Sequence, residues 1–190
     1  MSRRLESYFV ESEKRPIVDA YNEDDVNPLN TQIFDKLVDT ERLELGRTAA
    51  GEGRNQGLDG MRLIMQTIKN RASDKKWPGT VEEVTRQPKQ FSAWDKDDPN
   101  RRYMESLSLD SNDSQFLQAY EVADEDLPEH LSKFKDADHY HTDKVSPSWS
   151  KSPKIRKLGQ YKDHIFYSTK PGTGVSPAAN LKGGSLWPKT

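Results

Sequence analysis

No cysteine occurs among the 190 residues, which excludes disulfides and thiolate metal sites and fits a reducing compartment. No apolar run approaches the ~20 residues that a membrane-spanning helix needs. The opening MSRRLESYFVESEKRP carries basic residues with no apolar stretch behind them, so it does not read as a secretory signal. An excess of one sign of charge is also missing. Basic residues number 29 and acidic ones 31, a formal −2, which gives no electrostatic case for binding nucleic acid. Apolar residues are scarce at 32%, and charged residues, also 32%, exceed the usual ~25%, so part of the chain has no core of its own. The length suits one domain with extensions.

What charge there is lies unevenly. Residues 1–44 hold eleven Asp/Glu against six Lys/Arg, and residues 168–190 hold three lysines and no acid. The chain divides on this basis into an acidic N-terminal arm, residues 1–42, a central domain, 43–168, and an extended basic C-terminal tail, 169–190. Within the arm, EDDVNPLN reads as a loop, and TQIFDKLVDTERLELG as a short helix with Ile33, Phe34, Leu37 and Val38 at helical spacing. Segments so poor in apolar residues are ordered when a partner holds them, so the arms are expected to dock on other proteins.

The central domain begins with a helix from Leu45 that ends near the Gly51-Glu52-Gly53 break. Leu58, Met61, Ile64, Met65 and Ile68 then trace one face of a helix running to about Ala72. Thr80 and Glu83 form a capping-box pattern for a short helix, Val81 to Arg86. KQFSAWDKDDPNRR reads as a charged loop, and Phe116, Leu117, Tyr120 and Ala123 mark another helix. From about Ala137 the texture turns to short strands, DHYHTDKVSPSWS and IRKLGQYKDHIFYS, the second a hairpin turning at Gly159-Gln160 or at Lys162-Asp163. Helices first and strands last predict an α+β domain with a small C-terminal β-hairpin region.

In RTAAGEGRNQGLDGM, one carboxylate, Glu52, sits between two glycines ahead of a long helix. Glycosidic bonds break when a protonated carboxyl gives its proton to the leaving oxygen, and partial burial raises the pKa of such an acid. Flanking glycines let backbone and sugar approach it. The competing reading is a solvated glutamate at a helix end. His139 and His141 share a strand face and, with Asp136, Asp138 or Asp143, imitate a metal site; hydrogen-bonded structural histidines are the better reading, and neither metal nor cofactor is expected. Asn70 and Arg71 read as loop anchors, and His164 as a hairpin residue near the core.

GEGRNQGLDG, IKNR, QFSAW, YHTDKVSPSW and GQYKDHIFY follow one another in an order and spacing that resemble the cell wall hydrolase family, which includes the spore cortex-lytic enzymes. The resemblance covers residues 43–167 and implies a lysozyme-like fold that cleaves the glycan strands of peptidoglycan. The family pattern G-E-A-R-G-E-P-x-x-G places the catalytic role on Glu52 and departs here at its second glutamate, which is Gln56. That departure fits a lytic transglycosylase, which needs one acid/base because the 6-hydroxyl of muramic acid attacks the anomeric carbon. Asp95, Asp97 and Asp98 are candidates for a second carboxylate should the enzyme hydrolyse instead. Gln90, Phe91, Ser92, Trp94, Tyr140, His141 and Trp149 are the expected substrate-binding residues, since sugars stack on aromatic rings and bond through hydroxyls.

The missing signal and the charged arms lead to the expectation of a bacteriophage protein. It would be made in the host cytoplasm and either packaged in a virion, with residues 1–42 and 169–190 on phage structural proteins, or released to the wall as a lysis enzyme. The rival is a structural virion protein that keeps the scaffold with little activity.

Overall fold

The computed structural model describes residues 28–171; residues 1–27 and 172–190, which hold most of the two arms expected from the sequence, lie outside the described residues. The first element, α1 (Pro28–Gly53), is one unbroken helix. The boundary drawn at residue 42 therefore falls inside it. The Tyr120 hydroxyl donates to Asp39 at 3.0 Å, and Arg42 donates to the Tyr120 carbonyl at 3.3 Å, so this part of α1 is tied to the domain. Further along, Leu45, Ala49 and Ala50 are fully buried.

Helix α2 (Gly57–Ala72) follows after a single 3₁₀ turn, Arg54–Gln56. Its predicted apolar stripe is real, but the helix is buried on two sides. Met61, Ile64, Met65 and Ile68 pack with Leu45, Phe91 and Met104, while Leu63 turns to a second cluster with Leu131, Phe134 and Phe166. At its C-terminal end Asn70 donates to the carbonyls of Lys135 and Ala137 at 2.8 and 2.7 Å, and Arg71 Nε to that of Asp138 at 2.6 Å. These two polar residues anchor the chain entering the sheet, as the sequence suggested.

Helix α3 (Val81–Thr85) is capped by the predicted pair: Thr80 Oγ1 accepts from the Glu83 N–H at 3.2 Å, while the Glu83 carboxylate accepts from the Thr80 hydroxyl at 3.1 Å, in place of the Thr80 N–H of a full capping box. The stretch expected as a charged loop instead contains a 3₁₀ turn, Ser92–Trp94, and α4 (Asn100–Ser106). Met104 is the one fully buried side chain of α4, so its sequence carries no apolar period to find. Helix α5 (Ser114–Glu121) is capped by Asp113, whose Oδ1 accepts from the Phe116 N–H at 2.9 Å.

Three strands close the domain: β1 (His139–Thr142), β2 (Arg156–Tyr161) and β3 (His164–Ser168), antiparallel in the order β1-β3-β2. The hairpin turns at Lys162-Asp163, and the other predicted turn position, Gly159, is an irregularity in the β2 register. The sheet is larger than the hairpin expected, because HYHT also pairs with β3, His139 opposite Tyr167 and Thr142 opposite His164. Asp138 locks this arrangement. Its buried carboxylate accepts from His139 Nδ1 at 2.8 Å, from the Thr169 N–H at 2.9 Å and from the Thr169 hydroxyl.

Those donors hold the Asp138 carboxyl below its ordinary value against the desolvation that raises it. A carboxyl depressed on folding adds stability that is present above the unfolded value, roughly pH 4, and is lost as pH falls through the folded one. Asp138→Asn is expected to cost about 1.5–3 kcal/mol at neutral pH and to flatten the acid side of the stability curve. Urea denaturation from pH 7 down to pH 3 measures both.

Candidate active site

Glu52 occupies the last turn of α1, and the glycines beside it serve the protein's own packing. A Cβ at Gly51 would collide with Met104 Sδ, and one at Gly53 with Ile64 Cδ1. Glycine costs a helix about 0.5–1 kcal/mol relative to alanine, and here it lets the end of α1 settle onto α4 and α2. The expected role, space for a sugar to approach, is therefore corrected: the core fills that space.

The carboxylate is half-buried. Its Oε1 accepts from the Ala93 N–H at 2.8 Å, and its Oε2 lies 3.5 Å from the Tyr140 hydroxyl. Burial raises its pKa and dominates. The Ala93 N–H, Tyr140 and Ser92 pull it down, and the charge of Asp98 pushes it up. The net result is a carboxyl held above the ordinary glutamate range. Burial, and then the Glu52 charge, push the Tyr140 phenol well above its own usual value, so Tyr140 stays a donor. Asp98 lines a charged depression of about 780 Å³ with Lys96, Asp97, Arg101 and Arg102.

Of the residues predicted from the sequence, Glu52, Ser92 and Tyr140 come together. Gln90 is exposed nearby, its Oε1 accepting from Arg71 Nη1 at 3.1 Å. Two of the expected sugar-stacking rings are core residues instead. Phe91, 1% exposed, packs 6.5 Å from the Tyr140 ring, and Trp94, 6% exposed, donates its indole N–H to Thr48 Oγ1 at 2.9 Å. Side chains alternate along a strand, so His141 faces away from Tyr140 and the acid. Its Nδ1 is 2.8 Å from the Thr142 carbonyl, its Nε2 3.0 Å from the Tyr167 hydroxyl, and Trp149 lies against it at 5.5 Å. The structure does not bring His141 or Trp149 to Glu52.

The group that sequence reasoning missed is the Ala93 N–H. A backbone donor has no side-chain signature, and FSAW drew attention to its phenylalanine, serine and tryptophan. Of the three aspartates considered as second carboxylates, Asp98 is the one whose charge reaches Glu52; Asp95 accepts from the Lys89 N–H at 3.3 Å, and Asp97 is exposed.

Gln56, at the family's second glutamate position, is 1% exposed. Its Nε2 donates to Asp163 Oδ2 at 3.2 Å and its Oε1 accepts from the Asp163 N–H at 3.1 Å. Both ends of the amide are thus spent on holding the β2–β3 turn. A glutamate there would put a second carboxylate against Asp163. Gln56→Glu is expected to lose about 1–3 kcal/mol at pH 7 and to recover much of it at pH 4, where one proton can be shared. Chemical denaturation at the two pH values checks this.

A family model described as cell wall hydrolase matches residues 55–167. The match begins three positions after Glu52. The crystal structure of the catalytic domain of the Bacillus cereus SleB protein superposes with a TM-score of 0.50 at 19% identity, covering 67% of this chain and 89% of that one. At that identity the likeness shows the fold. No curated protein matches the chain.

Proposed function

The chain belongs to the cell wall hydrolase family, and on that premise we propose that it cleaves peptidoglycan between N-acetylmuramic acid and N-acetylglucosamine, with Glu52 as the catalytic acid/base. The observation that carries the proposal is the state of Glu52: half-buried, its pKa raised by desolvation, with Oε1 tied to the Ala93 N–H. A carboxylate oxygen that accepts a good N–H bond is the poorer place for a proton. The proton therefore rides on Oε2, whose bond from Tyr140 is long at 3.5 Å.

In the reaction, Oε2–H gives its proton to the bridging oxygen as the anomeric C–O bond breaks. The 6-hydroxyl oxygen of the muramic acid then bonds to the anomeric carbon, and its proton returns to Glu52. The products are a 1,6-anhydro end and a free 4-hydroxyl, and no water is consumed. Two observations favour this lytic transglycosylase route. One acid has a raised pKa, and the position where the family pattern has a second acid holds a glutamine whose amide is fully engaged. Asp98, whose charge reaches Glu52, supports hydrolysis as the second reading.

Mass spectrometry of digested peptidoglycan separates the two, since 1,6-anhydro ends identify transglycosylation and reducing ends hydrolysis. Absence of any clearing of a peptidoglycan gel would leave the structural-protein reading. A bacteriophage setting, in the virion or at lysis, accompanies this proposal, and detection of the chain in purified particles tests it.

A further inference from the structure

The face of β1 opposite the acid carries a band of rings that the reaction at Glu52 does not use. His139 lies between two indoles, Trp77 at 5.6 Å and Trp149 at 5.1 Å, and Trp149 also meets His141 at 5.5 Å and Tyr167 at 5.4 Å. Trp77, His139, His141 and Trp149 are all half-buried, so each keeps part of its ring in solvent. The arrangement is held from beneath. Asp138, 1% exposed, takes the hydrogen of His139 Nδ1, which leaves His139 Nε2 on the open side of the ring. The Arg71 guanidinium sits 4.3 Å from the Trp77 ring while its Nε donates to the Asp138 carbonyl.

Neither indole N–H nor His139 Nε2 has a hydrogen-bond partner among the described residues, and none of the three is a closed-off buried atom. Two indole donors and one imidazole nitrogen are therefore set among open aromatic faces. Packing explains why the rings touch one another, and it leaves their polar atoms open to solvent and to a ligand. An amino-sugar chain meets all of these features. Its C–H faces stack on rings, its acetamido carbonyl accepts from an indole N–H, and its hydroxyls, which both donate and accept, bond an imidazole nitrogen.

We propose that Trp77, His139 and Trp149 form a binding platform for a β-1,4-linked N-acetylated glycan, separate from the groups around Glu52. The ligand class rests on the peptidoglycan reading above. Continuity with the acid supports it: Tyr140, between His139 and His141, reaches Glu52 from the other face of the same strand, and Arg71 links Trp77 to Gln90 and to Phe91, whose ring lies 5.4 Å from the guanidinium. The platform holds a strand of the wall while a bond is cut around the edge of β1.

The test uses the full chain carrying Glu52→Gln, so that nothing is cleaved, titrated calorimetrically with a hexamer of β-1,4-linked N-acetylglucosamine. Trp149→Ala is expected to weaken binding about tenfold or more with an unfolding midpoint near that of the parent, His139→Ala to weaken it likewise with a lower midpoint because Asp138 loses a donor, and Trp149→Phe to restore only part of the loss, since phenylalanine stacks but has no N–H to give. Equal binding by parent and folded Trp149→Ala, or no saccharide binding by the parent, would overturn the platform. On otherwise native protein, Trp149→Ala should raise KM on peptidoglycan and leave kcat nearly unchanged; an unchanged KM would also count against it. Hexamer binding that depends on Trp149 in a protein unable to clear peptidoglycan would uphold the platform and sink the catalytic proposal instead.

Discussion

Glu52→Gln is expected to cut peptidoglycan cleavage by roughly 10²–10⁴-fold, the usual worth of a positioned acid/base, and to make the folded protein more stable at neutral pH. The two effects have one cause. Burial raises the pKa of Glu52, so over the range between the ordinary glutamate value and the raised one the folded state holds a proton that the unfolded state has lost. Stability then declines as pH rises through that range and stays reduced above it. Glutamine keeps an oxygen for the Ala93 N–H and carries no charge to desolvate, so it removes the decline. Thermal unfolding of the two proteins should coincide in acid and separate above the raised value, the variant melting higher. Activity of the native enzyme should fall along its alkaline limb as Glu52 loses its proton. Since the charge of Asp98 is one of the groups raising Glu52, Asp98→Asn should move that limb to lower pH. A Glu52→Gln protein that clears peptidoglycan like the native one, or that melts lower at neutral pH, would remove Glu52 from the centre of the mechanism.

What the sequence disclosed and what it hid follow from how each signal is written. The apolar stripe of α2 and the Thr80–Glu83 cap are local, and both were legible. The change of texture at DHYHTDKVSPSWS placed a strand but not its partner, because pairing of β1 with β3 joins residues far apart in sequence. α4 escaped notice because packing buries little of it. At the site, the motif draws out Glu52, whose carboxylate the structure half-buries. The motif does not show which way neighbouring side chains point. Phe91 and Ser92 are adjacent in QFSAW, yet one is core and the other surface; Tyr140 and His141 are adjacent in YHTD and face opposite sides of the sheet. A ring that stacks on sugar and a ring that fills a core have the same sequence symbol, and the difference lies in what the fold brings against them.

Trp94 is where that difference has its largest measurable consequence. Its ring is enclosed by the helical core, its N–H is paired with the buried Thr48 hydroxyl, and the Arg86 guanidinium lies 3.3 Å from the ring centre. Arg86 in turn donates twice to Glu44, at 3.0 Å each, and the Thr85 hydroxyl bonds the same carboxylate at 2.6 Å. Trp94→Ala empties a large volume, takes from Thr48 Oγ1 the donor it accepts from while its own bond to the Glu44 carbonyl at 2.8 Å remains, and removes the surface on which Arg86 rests. Truncation of a buried aromatic of this size costs about 3–5 kcal/mol, a large share of the roughly 5–15 kcal/mol by which a domain is stable. Trp94→Phe refills most of the volume without the N–H bond and should lose less. If Trp94 is core, Trp94→Phe will unfold at lower urea concentration than the native protein and show an unchanged KM on peptidoglycan. A rise in KM with the unfolding midpoint unmoved would return Trp94 to the sugar-binding surface where the sequence first put it.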